Sequence, residues 1–367
     1  MEKNNSKIKI IVAMSGGVDS SVAAALLKRD GFDVVGIFMK FWSAQNASRN
    51  VADKKDTNRC CSVESEHLAR LVAKEIGIPF YVVNVEREFK KKVVDYFLKE
   101  YRKGNTPNPC VVCNKEIKFG LLIEKALKLD ANYIATGHYA RIIREIPNHK
   151  SQITKYKLLK GKDRNKDQSY FLWQLNQKQL SRVLFPVGNY TKPEVRKLAK
   201  KFNLPTAETK ESQEVCFIQN TTNEFLKKYL KTKLGPIVGQ AHYGVKKIVG
   251  QHQGLWFYTI GQRKGLNINQ GPYYAVDKDF KNNILVVSKN KKDLLKKELV
   301  AKNVNWILLQ KLPVSCDVKI RYKSNLAKAK VFENGKIIFQ KHQEAITPGQ
   351  SAVFYKGVEL LGGGVIE

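Results

Sequence analysis

The stretch "AMSGGVDSS", Ala13–Ser21, decides how the first half of this chain folds. It follows an apolar run, "IKIIVAM" (Ile8–Met14), that reads as a buried strand. It leads into Ser20–Arg29, which reads as a helix stopped at Gly31. Two glycines between a strand and a helix let the backbone turn tightly and bring its N–H groups close to a ligand. The helix then opens beneath the loop with unpaired donors and a partial positive charge. Ser15, Ser20 and Ser21 add hydroxyls. In physical terms this is a pyrophosphate cradle. It is neither the G-x-x-x-x-G-K-[ST] loop, since no lysine follows the glycines, nor G-x-G-x-x-G.

Outward from this loop the chain alternates. Asp33–Met39 and Phe80–Val85 read as strands, with Val63–Ile76 and Phe89–Tyr101 at helical spacing. A further helix runs to about residue 129, followed by the strand "YIATGH" (Tyr133–His138). In "NYTKPEVRKLAKKF", Thr191 and Glu194 form a capping box, with Pro193 in the first turn. Alternating strands and helices predict a doubly wound parallel α/β sheet, with ligands at the carboxyl ends of its strands. After about residue 213 helical periodicity fades and Gly-rich, aromatic, strand-like pieces follow. "KVFENGKIIF" carries a hairpin turn at Asn334-Gly335. The expected domains are an α/β catalytic domain at 1–212, a small β-rich central domain at 213–279 and a C-terminal β-barrel at 280–367.

The chain of 367 residues carries 65 Lys+Arg against 33 Asp+Glu, a net charge of +32. That excess favours polyanionic partners, above all nucleic acid, although Lys, Asn and Ile are abundant together, as AT-rich coding produces. No apolar run approaches the roughly 18 residues of a membrane helix, and the N-terminus lacks a signal-peptide core. No membrane association and a cytoplasmic location are expected.

Six cysteines are present, Cys60, Cys61, Cys110, Cys113, Cys216 and Cys316. Without a secretion signal, closely spaced cysteines suggest metal or catalytic use. Cys60, Cys61 and Cys316 read equally as packing residues. Cys110 and Cys113 form a C-x-x-C, but no second such pair completes a four-ligand zinc site. Cys113 is expected at the start of a helix beside Lys115, a setting that favours the thiolate.

The order and spacing of further motifs are more specific. "SGGVDS" resembles the signature of the PP-loop ATP pyrophosphatases, which adenylate a substrate oxygen. "TPNPCVVCNKEIKF", "ATGHYARI", "KDQSYFLWQL", "SQEVCFI", "YTIGQRKGL" and "TPGQSAVFY" together resemble the tRNA-specific 2-thiouridylase family over essentially the whole chain. The resemblance implies an adenine nucleotide alpha hydrolase-like fold and ATP-dependent 2-thiolation of the wobble uridine of tRNA. Adenylation of the 2-carbonyl would precede sulfur transfer from a cysteine persulfide.

It further implies that Ala13, Met14, Ser15, Gly16, Gly17, Val18, Asp19, Ser20, Met39 and Gly137 contact ATP, with Mg²⁺ on its phosphates. Cys216 would carry the persulfide, supplied by a sulfur-relay protein or a cysteine desulfurase. Cys113 would release the sulfur through a transient disulfide with Cys216. The segment around Cys216 is expected to be mobile, because the two lie 103 positions apart. Asn108, Pro109 and Cys110 would lie against the target base. His138, Lys166, Asp167, Gln168, Arg321, Tyr322 and Gln350 would touch tRNA. Asp19 suits either phosphate and magnesium geometry or helix capping.

One departure stands out. Many family members carry Asp where this chain has Cys110. Cys110, Cys113 and Cys216 then suggest an alternative route, an iron–sulfur cluster with one open iron that hands on sulfide. An amidating PP-loop synthetase and a non-catalytic RNA-binding protein are the remaining alternatives.

Overall fold

A computed structural model describes residues 7–43, 62–146, 154–209, 215–218, 220–240, 246–269 and 271–367. The adjacent Cys60 and Cys61 lie outside the described residues.

The first half contains β1 (Lys9–Ala13), β2 (Asp33–Lys40), β3 (Phe80–Asn84), β4 (Tyr133–Ala135), β5 (Ala140–Glu145), β6 (Lys155–Lys160) and β7 (Val183–Leu184). Five of them form a parallel sheet in the order β3-β2-β1-β4-β7. β1 is central and apolar on both faces, as a strand between two helical layers must be. Ile11 packs into one core cluster, while Ile10 and Val12 enter another on the opposite face. The order runs outward from β1 to β2 and β3, then reverses to β4 and β7. The switch point therefore falls between β1 and β4, where a ligand crevice forms in such sheets.

The expected strand Tyr133–His138 ends at Ala135, so Thr136, Gly137 and His138 already belong to the loop at its carboxyl end. The helix expected around Cys113 begins earlier, at Pro109, whose ring presets the backbone of the first turn. Cys113 is its fifth residue and is buried, so the helix-start argument for an activated Cys113 thiolate does not hold. Cys110, next to Pro109, occupies that position instead.

The second half adds β8 (Gly235–Gln240), β9 (Lys246–His252), β10 (Tyr274–Asp279) and β11 (Ile284–Ser288), a four-stranded sheet ordered β10-β11-β8-β9. This sheet extends beyond residue 279. A helix at Thr222–Tyr229 precedes it, in a region where sequence periodicity gave no helix. Then come β12 (Leu295–Trp306), β13 (Val314–Lys319), β14 (Ala327–Val331), β15 (Lys336–Glu344), β16 (Ser351–Lys356) and β17 (Glu359–Ile366). They run in the order β12-β15-β14-β13-β16-β17, and pairing of β12 with β17 closes a six-stranded antiparallel barrel. Gly335, at φ +79, makes the expected β14–β15 turn.

The β5–β6 hairpin leaves the first domain and hydrogen-bonds to β17, Leu158 opposite Leu360 and Leu159 opposite Glu359. It ties the barrel to the α/β domain. Among the described residues no helix is long and apolar enough to cross a membrane.

Candidate active site

The phosphate loop is shaped by its own backbone and hydroxyls. Gly16 has φ +75, and a Cβ there would lie 2.2 Å from the Ser65 carbonyl oxygen. Gly17 is the N-cap of α1 (Val18–Arg29), and no side chain caps that helix. The Ser15 N–H donates to Ser20 Oγ at 3.1 Å, and the Ser20 and Ser21 hydroxyls donate to the Gly17 carbonyl at 3.0 and 2.9 Å. The result is a turn fixed from within, leading into a helix N-terminus that no side chain caps, a feature that suits anion binding.

Two neighbouring strand ends frame this loop. Met39 lies near the carboxyl end of β2 and is 7% exposed. Gly137, after β4, packs so close that a Cβ would sit 2.6 Å from Asp19 C and Ser20 N. The residues expected at ATP thus gather at the ends of β1, β2 and β4. Asp19 does not cap α1. Its carboxylate accepts from Lys192 Nζ at 2.7 and 2.8 Å and from the Tyr139 hydroxyl at 2.7 Å.

His138 turns inward. Its Nδ1 shares a 2.7 Å hydrogen bond with the Thr136 hydroxyl, and its ring packs against Phe119 and Phe185. Burial, and then the nearby Lys118 charge, hold its pKa well below the ordinary value, so it is neutral.

A second convergence lies around the segment before Cys110. Gln350 Nε2 donates to the Thr106 carbonyl at 2.7 Å, and the Thr106 N–H donates to the Pro348 carbonyl at 2.8 Å. Gly349 (φ +88) admits this approach, since a Cβ would lie 2.9 Å from Asn105 Cβ and Thr106 N. The Thr106 and Thr259 hydroxyls meet at 3.2 Å, bringing in the central domain. Tyr170 donates to the Ser351 carbonyl at 3.0 Å. Trp173 Nε1 donates to Ser351 Oγ at 3.0 Å. Segments of all three domains therefore fix the backbone that presents Asn108, Pro109 and Cys110.

Asp167 acts within its own loop, whereas Gln168 reaches the strand end before β5. Asp167 accepts from Gly161 N, Ser169 N and Ser169 Oγ at 2.9–3.1 Å. Gln168 exchanges two hydrogen bonds with the Tyr139 backbone, at 3.0 and 2.9 Å. Lys166 precedes them at intermediate burial. Arg321 donates to the Glu344 and Ala345 carbonyls, at 2.7 and 2.9 Å. The Tyr322 ring lies 4.5 Å from that of Phe171.

Cys110, Cys113, Cys216 and Cys316 are thiols. Cys113 is buried and Cys216 partly buried against the same apolar cluster. Phe217, next to Cys216, packs edge-on to Phe89 and Phe97. The helical stretch 86–102 that carries these rings also packs, through Lys90–Val94, against Pro109–Cys113. One helical stretch thus serves both cysteine segments. Cys316 sits in the barrel core, where burial pushes its thiol up to about 12, in line with a packing role. Residues 210–214 and 219, flanking Cys216, lie outside the described residues.

Three family models match in succession, described as tRNA methyl transferase HUP domain (8–220), tRNA methyl transferase PRC-barrel domain (223–289) and aminomethyltransferase beta-barrel domain (296–366). The chain is 46% identical over 375 residues to tRNA-specific 2-thiouridylase MnmA 2 of Thermoanaerobacter sp. (strain X514), covering 100% of this chain and 99% of that protein. It is 45% identical to tRNA-specific 2-thiouridylase MnmA of Carboxydothermus hydrogenoformans, covering 98% and 97%. The Geobacter metallireducens protein of the same name is also 45% identical, covering 98% and 96%.

The chain belongs to the tRNA-specific 2-thiouridylase family. Among the described residues of this 2-thiouridylase, no three His, Cys, Asp or Glu side chains gather as a group that could hold a metal ion. Lys192 and Tyr139 were missed from the sequence. Lys192 stood inside the capping-box motif as a mere helix starter. A lysine at the first helical position, where the dipole disfavours cations, was the available signal.

Proposed function

We propose that this 2-thiouridylase transfers sulfur to the 2-position of the wobble uridine of tRNA at the expense of ATP. The uridine 2-oxygen attacks the α-phosphorus of ATP, and pyrophosphate leaves with the Pα–O bonding pair. The terminal sulfur of a Cys216 persulfide then attacks C2, and AMP departs. The Cys113 thiolate attacks the Cys216 sulfur and breaks the S–S bond. C2 keeps the thiocarbonyl, and a Cys113–Cys216 disulfide results, which an external thiol reduces.

The carrying observation is a phosphate cradle and two thiols packed on one apolar cluster, in a chain matched end to end by proteins named tRNA-specific 2-thiouridylases. The α1 N-terminus and the Ser15–Ser20 loop bind phosphate. Gly137 and Met39 bound the nucleotide site. Mg²⁺ would neutralise phosphate charge, and Asp19, in the first turn of α1, is the carboxylate that would hold it. Asn108, Pro109 and Cys110 receive the base, and His138, Lys166, Asp167, Gln168, Arg321, Tyr322 and Gln350 form or support the tRNA surface. The net charge of +32 suits that partner. A sulfur-relay protein or cysteine desulfurase loads Cys216. Methyl transfer, named in the family-model descriptions, needs neither an ATP-cleaving cradle nor a thiol pair.

The test is stoichiometry. Incubated with ATP, Mg²⁺, a persulfide donor and unmodified tRNA, the protein should form AMP and pyrophosphate in step with thiolated tRNA. ATP cleavage with ammonia and a small acceptor, indifferent to tRNA, would instead identify an amidating enzyme.

A further inference from the structure

One side chain at the candidate phosphate site departs from the preferences of its own helix. Lys192 is the first residue of the helix Lys192–Lys201, where the backbone dipole disfavours a cation. It is only 7% exposed, and a lysine is seldom so buried without a functional or electrostatic reason. The Lys192 and Thr191 N–H groups donate to Asp163 and Glu194, at 2.9 and 2.6 Å, and those carboxylates offset the dipole. The ammonium itself reaches to Asp19, 173 positions away, in the first turn of α1. The Tyr139 ring centroid lies 5.9 Å from it. The Asp19 side chain is 32% exposed and Lys192 only 9%, so the carboxylate is the more accessible partner of the pair.

A triphosphate at the uncapped N-terminus of α1 needs positive charge. "SGGVDS" lacks the lysine that a G-x-x-x-x-G-K-[ST] loop supplies. Lys192 brings an ammonium to the same place from a distant helix.

We infer that Lys192 is a catalytic residue of the adenylation step, holding Asp19 while the site is without ATP and engaging the phosphate oxygens once ATP binds. This rests on the ATP-cleaving reading above. In that step the uridine 2-oxygen bonds to the α-phosphorus, the bond to the bridging oxygen breaks, and the uracil N3 proton passes to solvent. Lys192 stabilises the charge that collects on the departing pyrophosphate.

The test compares ATP·Mg²⁺ with adenosine, which lacks phosphate, by calorimetry on the full-length protein. Lys192→Met should bind adenosine like the parent but lose about ten- to a hundredfold in ATP affinity, the scale of a hydrogen bond to a charged group. Equal loss of both ligands would indicate a collapsed site and overturn the inference, as would unchanged ATP affinity. If Lys192→Met fails to fold, the double variant Asp19→Asn/Lys192→Met removes both charges and should keep the fold and adenosine binding. Parental ATP affinity in the double variant would also overturn it. A parent that binds adenosine but not ATP would refute the ATP-cleaving reading, and this assignment with it.

Discussion

Gln350, on the loop entering the last hairpin of the barrel, donates to the Thr106 carbonyl at 2.7 Å, two residues before Asn108. The barrel therefore holds the segment that leads into Asn108–Cys110 directly. Gln350→Ala removes one neutral hydrogen bond, worth about 1 kcal/mol. Turnover with tRNA should fall about fivefold while ATP affinity stays unchanged, as steady-state kinetics and calorimetry would show. Loss of ATP affinity instead would mean that Gln350 serves the nucleotide site.

The two loop glycines should behave differently. Gly16→Ala combines φ +75 with a 2.2 Å approach to the Ser65 carbonyl oxygen, and strain of this kind costs ~1–3 kcal/mol before the clash is counted. Thermal unfolding should show a lowered Tm. At Gly17 the nearest atom is Ser15 Oγ at 3.6 Å, so Gly17→Ala should leave Tm unchanged and reduce ATP binding by crowding the phosphates. A Gly17→Ala protein with parental ATP affinity would argue against close phosphate approach there.

His138 gives stability a pH dependence. Its folded pKa lies well below 6.5, so between the folded and unfolded values the unfolded chain binds more protons. Stability from a neutral His138 is fully present above pH 6.5 and is lost as pH falls through that window. Denaturant titrations between about pH 7 and 5 should show this loss, and His138→Phe should flatten it. An unchanged slope in the variant would place the pH dependence elsewhere.

Much of the α/β domain is legible in the sequence, because it is written locally. The loop Ala13–Ser21 marks a strand-to-helix turn, and the alternation around it implies a parallel sheet. The thiols and motif stretches are equally visible, but their relations are not. Nothing local in "TPGQS" says that Gln350 grips Thr106, or that β6 joins β17 two hundred positions away. Nor does "KDQS" say that Gln168 bonds the Tyr139 backbone while Asp167 accepts from Gly161 and Ser169. Lys192 stayed hidden because capping chemistry explained its neighbours. Pro109 moved the helix start, and with it the electrostatic setting expected for Cys113.

Phosphate contacts should dominate tRNA affinity. An interface of about six such contacts loses ~10³ in affinity between roughly 50 and 200 mM salt. Filter binding across that range measures the slope, and a change below about tenfold would mean that the net charge of +32 is spread away from the bound tRNA.

The most direct test of the account is quantitative mass spectrometry of 2-thiouridine in tRNA incubated with ATP, Mg²⁺ and a persulfide donor. The parent protein should form 2-thiouridine, while Cys113→Ser and Cys216→Ser should each form none, although both still bind ATP. Parental amounts of 2-thiouridine from either variant would contradict sulfur transfer through these two thiols.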